Sequence, residues 1–168
     1  MIHEFIVRQL EHRYRVLERA LRNGLTEELA WRPLGGRPPI GWHACHIAEA
    51  IASTAEAIAL GPGSMELVPE VQKGAIRRGS SPSPEAASYE EPGVQGLITE
   101  LNRLSLKLLI ALKSLTDADL EKPPLVEVHA AFRSTLVSRM VFLEGHLFHV
   151  SYHLGAIGLL RAEWHLEP

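Results

Sequence analysis

Nine histidines occur in 168 residues, and five of them fall in two short runs. His43 and His46 form one run; His146, His149 and His153 form the other. His149 and His153 are four residues apart, so on a helix their rings leave the same face one turn apart. On a wheel of about 100° per residue, His146 joins them within about 60°. Phe142, Val150, Ile157 and Leu160 share or border that sector, which turns the histidines towards a core rather than towards water. Burying several imidazoles is unfavourable unless each finds a partner. One metal ion would partner them together. Two ligands at i and i+4 on one helix, with a third from a facing helix, put three nitrogens on one side of an ion and leave the other side open, as in catalytic rather than closed structural sites. On its own wheel His46 falls beside Ala50 and Ala57, the small-residue side of its helix. The plainer alternative bonds each histidine singly to a carbonyl or a neighbour; their clustering on two segments weighs against it. Imidazole suits zinc, nickel, iron or copper and does not choose among them.

Other chemistries are not spelled in the chain. There is no His-Glu-x-x-His motif, no second cysteine beside Cys45 for a zinc ribbon, and no glycine-rich phosphate loop. A di-iron bundle needs Glu-x-x-His on each of two helices, whereas His46-x-x-Glu49 runs the other way. No general base stands on the histidine face: Glu49 and Glu144 fall away from it, in positions for surface or supporting roles. Arg139 lies about two turns before His146 on the same face. There it would meet an anionic substrate or, more simply, snorkel or pair with an acid. Cys45 is about 100° from His46, the place of a packed small residue rather than a nucleophile. Trp31 and Trp42 are expected to pack the entrance of the second long helix.

Four long helices must carry these residues. Ile6, Leu10, Tyr14, Leu17 and Leu21 make one apolar stripe over about Ile2 to Arg22, closed by Asn23-Gly24. Thr26-Glu27-Glu28-Leu29 reads as a capped single turn. The second helix starts near Pro38-Pro39-Ile40, runs to about Leu60 and stops at Gly61-Pro62-Gly63; its many alanines would let a neighbour approach closely. Residues 61 to 93 are rich in Gly, Pro and Ser and read as a long irregular crossover. The third helix is expected over about Val94 to Leu115 and the fourth over about Phe132 to Arg161. Leu115-Thr116-Asp117-Ala118 echoes Leu25-Thr26-Glu27-Glu28, which suggests two helical hairpins joined by the crossover.

Composition agrees with one all-α domain over residues 1–168. Hydrophobic residues are 46% and aromatics only 6%, a balance that favours helices over a β-sandwich. The net charge of −3 and the mixing of Arg13, Arg15, Arg19 and Arg22 with Glu11 and Glu18 argue against a nucleic-acid partner. The most apolar stretch, Phe142 to Leu160, carries Glu144 and three histidines, so it reads as a bundle helix, not a membrane span. One cysteine and an N-terminus without signal-peptide zones point to the cytoplasm.

Three segments together resemble the DinB/YfiT-like superfamily. They are Leu29-Ala30-Trp31-Arg32-Pro33, the run from Ile40 through Trp42-His43-Ala44-Cys45-His46 to Glu49, and His149-Val150-Ser151-Tyr152-His153-Leu154-Gly155-Ala156-Ile157. The resemblance spans essentially the whole chain. It implies an up-down-down-up four-helix bundle with a long crossover between helices two and three. It also implies metal ligation by His46, His149 and His153, which leaves His43 and His146 as supporting or core residues. A related branch, the mycothiol-dependent isomerases, has glutamate where His149 stands, so this chain resembles the three-histidine branch. Ala156 departs from the glutamine common after the helix-four glycine.

The expected cofactor is one divalent metal ion, zinc or nickel before iron. The expected partner is a small-molecule substrate, such as a low-molecular-weight thiol, and family analogy adds a homodimer. The resemblance implies a metal-dependent thiol S-transferase or a related detoxifying enzyme, in which the ion lowers the thiol pKa. A metal-dependent hydrolase needs the same three ligands, and a non-catalytic metal- or ligand-binding bundle is the third reading.

Overall fold

The computed structural model describes residues 2–76, 92–128, 130 and 134–166. Phe132, Arg77-Arg78 and the Gly79–Pro84 part of the crossover lie outside them. The chain forms α1 (Ile2–Arg22), α2 (Glu27–Trp31), α3 (Ile40–Ala55), α4 (Pro69–Ile76), α5 (Val94–Lys113), α6 (Asp117–Leu120) and α7 (Arg139–Glu163). No strand occurs among the described residues; a single bridge joins Leu34 and Arg37. It closes the turn at Gly35-Gly36, where φ values of +56° and +75° need glycine.

Local chemistry explains most boundaries. The α1 stripe is buried as its periodicity requires, with Leu10 fully enclosed. Thr26 caps α2 by accepting from the Leu29 N–H at 3.3 Å, and Thr116 and Asp119 cap α6 reciprocally. The echo between the two linkers is therefore structural: each is a short capped helix between long ones. The last helix starts at Arg139, later than its apolar pattern suggests, because the Ser138 hydroxyl caps it by accepting from the Val141 N–H.

The second long helix reaches Leu60 as expected, while the crossover departs from its irregular reading. The end of the second long helix, Glu56–Leu60, is π-helical, and Leu125 N–H donates to the Ala57 carbonyl at 2.7 Å. The crossover also contains a helix, α4, whose Val71 and Ala75 are buried. At Gly74 a Cβ would lie 2.6 Å from the Cys45 sulfur, so only glycine permits this approach of α4 to α3.

The expected hairpins of α1 with α3 and of α5 with α7 do not form. Instead α1 and α3 each pack against α5 and α7; the linkers, 23–39 and 114–138, are long enough to cross the bundle. Tyr14 meets His146 and the Ala20 carbonyl meets Arg161, so α1 and α7 run the same way. His46 meets His149 while His43 meets His153, so α3 and α7 run oppositely. Glu11–Lys113 and Glu18–Asn102 contacts set α1 and α5 oppositely. Among the described residues no helix is long and apolar enough to cross a membrane.

Candidate metal centre

The opposed run of α3 and α7 brings His46 against His149 and His153. His46 Nε2 lies 3.2 Å from His149 Nε2, which lies 3.0 Å from His153 Nε2. One ligand atom from each of the three residues falls within 4.8 Å of the others. The i, i+4 spacing stacks His149 and His153 on one turn, and their ring centroids are 4.4 Å apart.

The opposite ring nitrogens are largely engaged. His46 Nδ1 lies 3.2 Å from Glu49 Oε2, and His153 Nδ1 lies 2.8 Å from His43 Nδ1. His149 Nδ1 is buried with no hydrogen-bond partner. The Trp42 indole stacks on His46 at 5.0 Å and 17°, and its N–H donates to the Ala75 carbonyl at 3.1 Å. A thread of contacts thus runs from α4 through Trp42 to His46. Tyr152 stands edge-on to His153, and the His46 side chain is 32% exposed, so one side of the cluster opens to solvent.

Burial, followed by the neighbouring His149, His43 and His46, pushes His153 down to about 3. Burial and then His46 push His43 down to about 4. His149 is lowered by burial and by His46, against an opposing pull from Glu49. At neutral pH these three rings are uncharged, the form that ligates metal.

The donor set fits a divalent ion. A neutral imidazole nitrogen either donates one hydrogen bond or accepts one. His149 Nε2 has two nitrogen neighbours at bonding distance, so hydrogen bonding alone satisfies one contact and leaves the other opposed. A common ion accepts all three lone pairs. Nitrogens bound to one ion at about 2.0–2.1 Å stand about 3.0–3.4 Å apart, which matches the 3.2 Å from His46 to His149 and the 3.0 Å from His149 to His153.

The remaining sequence-singled residues divide clearly. His146 turns towards α1, where Nε2 lies 2.6 Å from the Tyr14 hydroxyl; burial holds this ring at about 3. It stays outside the cluster although the wheel put all three histidines in one sector. Arg139 also stays outside: its Nε donates to the Pro123 carbonyl at 3.1 Å and its backbone N–H to Lys122, which ties down the loop before α7. Glu144 is exposed. Cys45 is fully buried against Gly74 and its thiol is pushed up to about 12 by burial, so it is a packing residue. Sequence reasoning missed the Trp42 stack, whereas the supporting roles it left open for His43 and Glu49 are the ones they take, His43 against His153 and Glu49 against His46. Glu49 reaches His46 from behind, at i, i+3 spacing on one helix.

An all-helical bundle with three converging imidazoles, contributed by the second and last long helices, defines the class of protein. A family model for the DinB superfamily matches residues 9–157, a span that includes all three histidines. The chain belongs to the DinB superfamily. No curated protein and no solved structure matches it.

Proposed function

We propose that His46, His149 and His153 hold one divalent metal ion, zinc or nickel before iron, and that the protein is a cytoplasmic metal-dependent thiol S-transferase of a detoxifying kind. The observation that carries this reading is the meeting of three Nε2 atoms at 3.0 and 3.2 Å with one side open. The up-down-down-up course of the family belongs to the same proposal, since it sets α3 and α7 against each other.

Bound there, the ion would supply Lewis acidity, lowering the pKa of a coordinated small thiol so that thiolate forms near neutral pH. The chain's own residues prepare the place. Glu49 accepts from His46 Nδ1–H and fixes that ring with its Nε2 lone pair forward. His43 accepts from His153 Nδ1–H and does the same for the second ligand. Trp42 walls the His46 side and keeps that ring from turning. Tyr152 stands at the open rim, where an incoming electrophile would pass.

The test is protein purified without metal-affinity steps. Elemental analysis should find one divalent ion per chain. Metal-loaded protein should accelerate displacement of halide from an activated aryl halide by a low-molecular-weight thiol, with a thioether and free halide as products and the thiol proton released to solvent, and chelator should remove the acceleration. Acceleration of ester hydrolysis instead would replace the transferase with the hydrolase reading, and a loaded but inert protein would leave a binding bundle.

A further inference from the structure

The mixed charges of the first helix separate once it is folded. Phe5, Arg8, His12, Arg15, Arg19 and Arg22 are all exposed, and their 3-4-3-4-3 spacing makes one stripe along the outer side of α1. The glutamates between them turn aside. Glu11 pairs with Lys113 at 2.7 Å. Glu18 takes Arg22 at 2.8 Å and the Asn102 amide at 3.1 Å. Both glutamates thus lie in the seam with α5. The remaining acid of α1, Glu4, is in the first turn, where a negative charge suits the helix N-terminus. Among the described residues no acid pairs with Arg8, Arg15 or Arg19.

The neighbouring helix continues this face. The exposed positions of α5 include Arg103, Leu106, Lys107, Ile110 and Lys113 and no acid; its Glu100 is buried and paired with Arg103 at 2.6 Å. Leu106 and Ile110 are one turn apart and 60% and 62% exposed. They lie between the levels of the Asn102–Glu18 and Lys113–Glu11 contacts. On the α5 wheel they fall between that seam and the Arg103–Lys107 side, so an apolar ridge stands between two basic rows. Together α1 and α5 hold eight basic and four acidic residues, a net +4, in a chain whose net charge is −3.

We infer that the α1–α5 face lies on an anionic phospholipid surface, with the arginines on headgroup phosphates and Leu106, Ile110 and Phe5 entering the acyl boundary. Guanidinium meets phosphate through paired N–H donors. A fluid acyl boundary takes protruding aliphatic side chains without a matching recess, which an acidic protein segment would have to supply. Nucleic acid would meet the arginines but leave Leu106 and Ile110 unmatched, since bases stack on aromatic rings. The packing also fixes what stays free. Because α1 and α3 each pack against α5 and α7, the α1–α5 side is opposite the α3–α7 side that carries His46, His149 and His153. A chain lying on α1 and α5 keeps that cluster turned to solvent.

Co-sedimentation of the full chain with vesicles tests this. At about 0.1 M NaCl the chain should pellet with vesicles of about 30% phosphatidylserine in phosphatidylcholine. It should stay in the supernatant with phosphatidylcholine alone. Raising the salt to about 1 M should release it, because the screening length falls to about 3 Å. The triple variant Arg8→Gln, Arg15→Gln, Arg19→Gln should bind about 100-fold more weakly, since each cation near an anionic surface is worth about five-fold in partitioning. Leu106→Ser with Ile110→Ser should weaken binding about ten-fold. Both variants should keep the wild-type helical circular dichroism, because the altered side chains are exposed. Equal binding to both vesicle types, no binding to the anionic ones, binding that persists at high salt, or wild-type affinity in either variant overturns the inference. So does binding to a duplex oligonucleotide or to polyglutamate without binding to vesicles. The variants alter different helices, so if one fails to fold the other decides.

Discussion

His43 Nδ1 and His153 Nδ1 stand 2.8 Å apart in the core of the site, and one proton serves both. If His153 is to offer Nε2 to an ion, that proton belongs to His153 and His43 must accept it, carrying its own proton on Nε2. A residue that never touches the ion thereby sets the tautomer of one that does.

His43→Phe should therefore weaken divalent-ion affinity by about 10–100-fold without abolishing binding, the usual effect of losing such a support. Competition against a chromophoric chelator reads this directly. Unchanged affinity would show that His153 holds its tautomer unaided.

His46→Ala, His149→Ala and His153→Ala should each abolish or greatly reduce uptake of one ion per chain, while His3→Ala and His12→Ala should not. Two imidazoles rarely retain a labile ion. Chelator should lower the melting temperature of wild type and barely move the three variants. At an ion concentration 100 times the dissociation constant the lost stabilisation is about 2.7 kcal/mol, or roughly 5–10 °C for a chain of this size. Wild type that melts identically with and without chelator after soaking in zinc or nickel would refute the metal centre.

Acid should destabilise the chelator-treated protein in a defined window. His146 and His153 sit at about 3 and His43 at about 4 in the fold, against about 6.5 when unfolded. Between these values the unfolded chain binds more protons, so stability falls as pH falls below about 6.5 and is level above about 7. Each histidine contributes at most about 1.4 kcal/mol per pH unit. Enclosed His146 contributes most, and the two beside the open site contribute less. Urea midpoints measured across about pH 7 to 4 should decline; a flat profile would mean that these rings are not held neutral.

The contact between Gly74 and Cys45 should behave as a coupled pair. Gly74→Ala places a Cβ 2.6 Å from the Cys45 sulfur and should cost about 1–3 kcal/mol. Adding Cys45→Ala should recover part of it, so the double variant should be more stable than the sum of the singles. Strict additivity would mean that α4 shifts freely away. Cys45→Ser should keep the bound ion, because the thiol faces α4.

How much of this was legible in the sequence depended on the range of the interaction. The first helix was readable end to end because its stripe and its Asn23-Gly24 stop are local. The convergence of His149 and His153 on one face was readable because helical spacing is local too. The start of α7 was not, since an apolar run continues upstream and only the Ser138 cap marks the boundary. The helix α4 was hidden because eight residues with a leading proline and an internal glycine carry little propensity; packing on α3 makes it. The diagonal placement of α1 from α3 and of α5 from α7, and the division of His146 from its neighbours, depend on which helix lies opposite. No single-helix wheel contains that information.

His46 and His149 are 103 positions apart, whereas His149 and His153 share one turn. In an unfolded chain the local pair can form at any time, but bringing the third imidazole to it means closing a loop of about a hundred residues. In the chain-entropy account that closure costs about 4–5 kcal/mol. Ligation by all three, as proposed, would therefore have to follow the docking of α3 on α7 rather than guide it, and ion capture would be a late event. A nascent chain, holding His46 alone until its final helix is made, would pass through synthesis unable to trap metal at this site.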